Sequence, residues 1–364
     1  MPPVEAWEKV FLNQESFSET IHGRYGCITC HGGVGGTDDK EAAHEGMIGK
    51  PDSAEACGDC HPDQVAMDEG SLHSSLAGYT TALAARSAPD KMAQLEVMMG
   101  NHCDKCHTTC GQCHVSRPTN LGGGLLEGHA FKQIPPMNLT CTGCHGSRIN
   151  DEYKGKNEGV QADVHYIQGG MPCFTCHTAD EMHGVLGEFE HRYDGAPTPS
   201  CQDADCHPDV GQDDGIQYHA SYHLEGLSCQ VCHSTTYKNC YSCHVSMENG
   251  AAYFETDESE MMFKIGLNPL QGEDRPWKYV PVRHVPVDRD SFSYYGEDLL
   301  PNFDAVPTWK YATPHNIQRN TPQTEACNTC HGNAEFFLTV DDVAPDERKA
   351  NEDVIVEELP FSMP

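Results

Sequence analysis

Residues 102–114 read HCDKCHTTCGQCH, two CxxCH motifs set back to back. In such a motif the two cysteine sulfurs form thioethers to a porphyrin and the adjoining histidine becomes an axial ligand of its iron, so the pattern predicts covalent c-type haem attachment. Cys103, Cys106 and His107 would hold one haem, and Cys110, Cys113 and His114 the next. Three chain steps separate His107 from Cys110, and extended chain covers about 3.3–3.6 Å per step, so the two attachment points lie within about 11 Å. Haems held that closely must nearly touch.

Outward from this pair the same signature recurs along the chain. It is present as Cys27, Cys30, His31; Cys57, Cys60, His61; Cys141, Cys144, His145; Cys173, Cys176, His177; Cys229, Cys232, His233; Cys240, Cys243, His244; and Cys327, Cys330, His331. One wider CxxxxCH comprises Cys201, Cys206 and His207. All 20 cysteines are thereby used in ten motifs, with none over for a disulfide or a free thiol. A lone CxxC reads equally as a zinc ligand pair or a thioredoxin-like redox site. Neither needs an adjoining histidine every time, so ten haem c groups are the expectation.

The chain has 364 residues, of which 38% are hydrophobic, and no run approaches the roughly 18 apolar residues of a membrane span. With about 36 residues of chain per motif, the porphyrins themselves are expected to form the core. The expected fold is mostly coil with short α-helices and few strands, wrapped around haems. The formal net charge of −32, with two propionates added per haem, argues against nucleic acid or an anionic membrane surface as partner. It suits cationic patches, metal ions or mineral surfaces, and equally a plain solubility surface. Haem c is attached outside the cytoplasm, yet the opening MPPVEAWEKVFLNQ has neither a basic region nor an apolar export stretch. It reads as a mature or trimmed chain working at the cell surface or beyond, with the periplasm as the alternative.

The motifs repeat in order. His61 and His207 both open HisProAsp and both precede a further histidine by 12 residues, at His73 and His219. The fourth and ninth motifs both close with CHVS, and His129 and His315 each precede the next motif's first cysteine by 12 residues. One alignment accounts for all of these: a segment 1–21, a five-haem module at 22–150, a second at 151–333, and an acidic tail at 334–364. The second module carries an insertion, since Cys243 to Cys327 spans 84 residues where Cys113 to Cys141 spans 28. This insertion, about 247–312, is rich in aromatic residues and proline. It reads as a loop-rich lobe that buries its rings, or as a docking surface. Apolar spacing predicts helices over 4–12, 72–86 and 91–99, and ValIleVal at 354–356 predicts a strand that packs on its own chain or pairs with a neighbouring subunit.

Each motif supplies iron with one histidine, and the opposite ligand decides between electron transfer and substrate binding. Of 22 histidines, twelve lie outside the motifs. The first module offers His22, His44, His73, His102 and His129. Their counterparts in the second are His165, His191, His219, His223 and His315, of which only the pairs His73 with His219 and His129 with His315 rest on equal spacing. His183 is an alternative to His191, and His284 reads as a ligand within the chain, a ligand for a neighbouring subunit, or structure.

These motifs resemble the multihaem c-type cytochromes of anaerobic respiration and extracellular electron transfer. The likeness spans nearly the whole chain through its CxxCH motifs. The five-plus-five order is similar to decahaem electron conduits, and the close motif pairs and surplus histidines are similar to subunits of extracellular cytochrome filaments. The resemblance implies a chain of bis-histidine haems and no catalytic residues. Implied partners are other multihaem cytochromes or copies of the same chain, and a terminal acceptor such as a metal oxide or a partner cell. The contrasting resemblance is to multihaem enzymes of nitrogen or sulfur oxyanions, several of which replace a motif histidine by lysine; no CxxCK occurs here.

Overall fold

The computed structural model describes residues 5–51, 53–75, 77–104, 108–184, 191–195, 198–211, 214–256 and 259–360; Cys106 and His107 of the third motif lie outside them. The chain forms two compact units, neither continuous in sequence. Residues 1–77, 105–146 and 173–189 make the first, and residues 78–104, 147–172 and 190–364 the second.

Short helices set by local capping make up the first unit. The Asn13 side chain accepts from the Ser16 N–H to start Gln14–Ser18, Asp39 does the same for Lys40–Ala43, and Pro62 opens Pro62–Asp68. The motif segments Cys27–His31, Cys110–His114 and Cys141–Cys144 are themselves single helical turns, which bring both cysteines of a motif to one side. Among the described residues Leu126 is the only buried apolar side chain of this unit. Trp7, Phe11, Ile28, Met47 and Phe131 remain exposed. Such a unit has no apolar interior of its own to offset the conformational entropy lost on ordering.

The second unit does have one. Strands β1 (Tyr237–Lys238) and β4 (Met261–Met262) pair, as do β2 (Cys243–Glu248) and β3 (Ala251–Thr256), and β5 (Lys264–Leu267), β6 (Tyr279–His284) and β7 (Trp309–Tyr311) form an antiparallel sheet. β2 and β3 are joined by Asn249–Gly250, both at positive φ (49° and 79°), as a two-residue hairpin turn requires. Val280, Val282, Trp309 and Tyr311 pack with Leu338, Val343, Val354 and Ile355 in one cluster. Val231, Tyr237, Phe263, Ile265 and Ala312 pack with Phe337 and Val356 in another. Gly266 lies where a Cβ would come within 2.8 Å of Val282 and 3.0 Å of Val354, so the sheet and the C-terminal stretch close on each other only at glycine. Beside them, Glu152 is fully buried, 2.5 Å from Arg283, and accepts the His315 N–H at 3.0 Å. Burial pushes its carboxyl up to about 7 against the pull of Arg283.

Several expected elements differ. Over 5–12 the chain makes turns at 6–10 and no helix, because Asn13 supplies the first side-chain cap and Trp7, Val10 and Phe11 find no face to bury against. The second helix is shortened to Ala77–Ala84, and the third lengthens to Met92–His102 behind a 3-10 turn at Pro89–Lys91. Residues 354–356 are not a strand. They form the end of a turn whose Val354 carbonyl accepts from Leu267 and whose Val356 N–H donates to Leu338, so they are buried in their own chain and offer no edge to a neighbour. The insertion is more sheet-rich than its prolines suggest. It buries Phe263, Trp309 and Tyr311, while Tyr253, Phe254 and Tyr294 stay exposed.

Two outcomes are expected. In haem-free chain the amides of β5, β6 and β7 should resist hydrogen exchange while those of the first unit exchange freely, measurable by mass spectrometry. Glu152→Ala strands a buried Arg283 and should cost about 3–5 kcal/mol, read as a lowered denaturation midpoint, with Glu152→Gln milder.

Candidate haem-binding sites

The folded chain brings motif histidines and other histidines together in pairs. In the first unit His31 faces His129 with ring centres 5.9 Å apart, His61 faces His22 at 6.3 Å, His114 faces His183 at 6.2 Å and His145 faces His73 at 6.2 Å. In the second, His207 faces His165 at 6.1 Å, His233 faces His219 at 6.2 Å and His331 faces His223 at 6.2 Å. Every pair joins one motif histidine to one outside the motifs. A metal–imidazole bond is about 2.0 Å and a ring centre lies about 1.1 Å from its Nε2, so two imidazoles on opposite faces of one metal have centres about 6.2 Å apart. Two stacked ring contacts are closer, 3.9 Å for His22 with Phe131 and 4.9 Å for His284 with Trp309, whereas edge-to-face contacts such as Tyr237 with Phe263 also stand at 6.0 Å, so the pairing of a motif histidine with another histidine, repeated seven times, is what singles these pairs out. The angles between the paired rings run from 14° to 82°, as expected if each ring turns freely about its bond to the metal while the separation is held. These distances fit an iron between the rings.

Second partners hold the rings in the ligating tautomer. His31, His114 and His233 direct Nδ1 at the carbonyls of Ile48, Lys132 and Gln318, at 2.9, 2.6 and 3.0 Å. His223 uses the Tyr218 carbonyl, and His165 and His219 use the carboxylates of Asp163 and Asp214. With Nδ1–H donated away, Nε2 carries the lone pair that a metal needs. Burial, the first cause in each case, lowers the pKa of His22, His129 and His233 and so favours the neutral ring that can ligate. At His165 the Asp163 hydrogen bond pulls the other way and makes the ring more basic. His129 sits at φ 75°, a left-handed conformation uncommon outside glycine, held where its ring meets His31.

The cysteines follow the same clustering. Cys141 and Cys173 are in hydrogen-bonding contact, as are Cys201 and Cys229, so the fifth motif abuts the sixth and the seventh abuts the eighth. None of the described cysteines forms a disulfide. No three His, Cys, Asp or Glu side chains converge on one point among the described residues, as the ligands of a zinc site would. The ninth motif differs in backbone from those on helical turns. Cys240 accepts from Arg148 at 2.6 Å, and Cys243 and His244 lie in β2.

Other expected ligands make further contacts. His183 faces His114 of the fourth motif, while His191 hydrogen-bonds Thr81 through Nδ1. His73 and His219 share a spacing but face different motifs, the fifth and the eighth, and His223, four residues after His219, faces the tenth. His102 is buried with Nε2, the nitrogen a metal would take, 2.8 Å from the Tyr295 hydroxyl. At His315 it is the backbone N–H, not the ring, that donates to Glu152. His177 directs Nδ1 at Glu181, and His44 directs its own at the Lys40 carbonyl. His284 is stacked on Trp309 with Nε2 2.9 Å from Glu347. Cys106 and His107 lie outside the described residues. The supporting carboxylates escaped the sequence reading, although Asp163, two residues before His165, and Glu181, four after His177, stand at spacings from which a side chain can reach back to a ring.

No family model, curated protein or solved structure matches the chain.

His183→Ala should leave the iron held by His114 with one histidine and turn one low-spin ferric haem high-spin in electron paramagnetic resonance. His191→Ala should leave the low-spin count unchanged.

Proposed function

We propose that this chain is a decahaem c-type cytochrome whose haems carry respiratory electrons outside the cytoplasm. The observation that supports the reading most strongly is the set of seven histidine pairs, each joining a motif histidine to another at 5.9–6.3 Å. Bound haem supplies a one-electron ferric–ferrous couple. The protein's own part is to close both faces of each paired site with imidazole, which leaves no position for a substrate and suits electron transfer. The Nδ1 hydrogen bonds to carbonyls and carboxylates strengthen the ligands, and the absence of a methionine in these pairs goes with low potentials.

The contacts of Cys141 with Cys173 and of Cys201 with Cys229 bring the attachment residues of successive motifs together, which supports a relay between the haems they would hold. The strongly acidic surface suits a cationic or metal-bearing acceptor, and other multihaem cytochromes or copies of this chain suit the donor side. No described helix is long and apolar enough to cross a membrane.

The test is on protein matured with its haems. Its mass should equal the chain plus ten haems, reductive titration should show all ten accepting one electron each at low potential, and a soluble cationic acceptor should reoxidise them. Turnover of nitrite, hydroxylamine or tetrathionate at a rate beyond that of free haem would overturn the reading in favour of an enzyme.

A further inference from the structure

Seven motif histidines face an imidazole, whereas the histidine of the ninth motif faces a carboxylate. Nε2 of His244, the nitrogen a metal would take, lies 3.3 Å from Oδ2 of Asp288. Asp288 is held there by the motif itself. The hydroxyl of Ser242, which lies between the two cysteines, donates to Asp288 Oδ2. The Asp288 carbonyl accepts the Ser291 N–H at 3.1 Å, and the Ser291 carbonyl accepts the N–H of Val245, the residue after His244, at 3.0 Å. At the other end of the motif the Cys240 N–H donates to the His284 carbonyl at 2.9 Å. Residues 284–291 therefore run beside the motif from its first cysteine to the residue past its histidine. Ser242 and Ser291 are both buried, which shields these bonds from water.

The internal repeat sharpens the contrast. The fourth and ninth motifs share the ending CHVS, and the histidine of the fourth, His114, is faced by the ring of His183 at 6.2 Å. Its counterpart in the ninth, His244, lies in β2, with its backbone fixed by pairing to Glu255 in β3. The segment that brings Asp288 to it belongs to the insertion, which only the second module carries. Where one copy of this motif meets a nitrogen donor, the other meets an oxygen donor supplied by the inserted lobe.

The distance leaves a small step to ligation. Metal–imidazole and metal–carboxylate bonds are each about 2.0–2.2 Å, so a nitrogen and an oxygen on opposite faces of one metal stand about 4.1 Å apart. From 3.3 Å the carboxylate has to withdraw by about 0.8 Å to admit an iron. Its side chain is 53% exposed and that of His244 42%, so both have room to adjust and solvent reaches the space between them.

We propose that Asp288 is the second ligand of the haem held by Cys240, Cys243 and His244, and that this haem is an exchangeable site that binds small neutral ligands when reduced. The proposal rests on the decahaem reading. A carboxylate is a hard, anionic donor that suits ferric iron better than ferrous. It leaves the ferric iron high-spin, where two imidazoles would make it low-spin. After reduction the Asp288 carboxylate departs with its own electron pair and stays bonded to the Ser242 hydroxyl. An incoming donor such as carbon monoxide brings the pair that replaces it, and no electron or proton is transferred in the exchange. The seven sites with an imidazole on each face offer no such position. The chain would thus pass electrons through closed haems and present, at the ninth, an iron that a small molecule can meet directly.

The experiment uses full-length, haem-loaded wild type, Asp288→His and Asp288→Ala. Oxidised wild type should show a high-spin ferric signal from one haem in ten by electron paramagnetic resonance, and reduced wild type should bind one carbon monoxide per chain in an optical titration. Asp288→His should lose both, because an imidazole then closes the second face. Asp288→Ala should keep both, with the reduction potential of that one haem shifted upward for want of the anionic ligand and the other nine unmoved. That shift separates a ligand from a bystander. Wild type lacking either the high-spin haem or the carbon monoxide site would overturn the proposal, and so would an unchanged potential in Asp288→Ala. If the variants fail to mature, the two wild-type measurements decide. None of these outcomes touches the uptake of ten electrons by ten haems. A chain that matures without ten haems would overturn the decahaem reading instead.

Discussion

An iron that is to be closed on both faces needs two imidazoles whose centres stand a little over 6 Å apart, and much of this chain is arranged around that separation. The motif histidines are placed by their cysteines, but their partners have to be delivered from elsewhere. The delivery devices are modest: a single helical turn before His183, a left-handed backbone at His129, an Asx cap that is also the Nδ1 partner at His165. Each fixes one ring by a few local hydrogen bonds, and none needs an extended protein core.

This division of labour explains why the two units are built differently. The first spends its chain on four histidine pairs and the cysteines beside them, and among its described residues only Leu126 is a buried apolar side chain. The second carries a protein core as well, because the insertion brings β-branched and aromatic residues in strand register and the C-terminal stretch supplies Leu338, Val343 and Val354 to cover them. In that acidic stretch Leu338, Val343 and the consecutive residues 354–356 are buried, while Asp341, Asp346, Glu352, Asp353, Glu357 and Glu358 stay exposed.

Much of the site could be read from residues alone. Ten motifs that consume every cysteine define where haem would be attached, since thioether spacing is a property of four or five consecutive residues. His22, His73, His129, His165, His219 and His223 were identified as second ligands, and the folded chain sets each of them against a motif histidine. His73 and His219 share an interval yet face different motifs, because an interval along the chain does not say which distant ring it ends beside. Between the sixth and seventh motifs it is His183, at the end of a short capped helix, whose ring faces a motif histidine, while His191 bonds Thr81.

What the sequence determined by itself is therefore the number of attachment points, the supply of histidines and the acidic, motif-punctuated character of the wrapper. These follow from chemistry confined to a few adjacent residues or from composition. The tertiary structure decided which histidine meets which, that the end of the chain completes a sheet's core, and that the turn at Gly184 is seated against Met67 and Ser71. Those outcomes depend on groups far apart in sequence, such as His114 and His183, and only the folded backbone sets the distance between them.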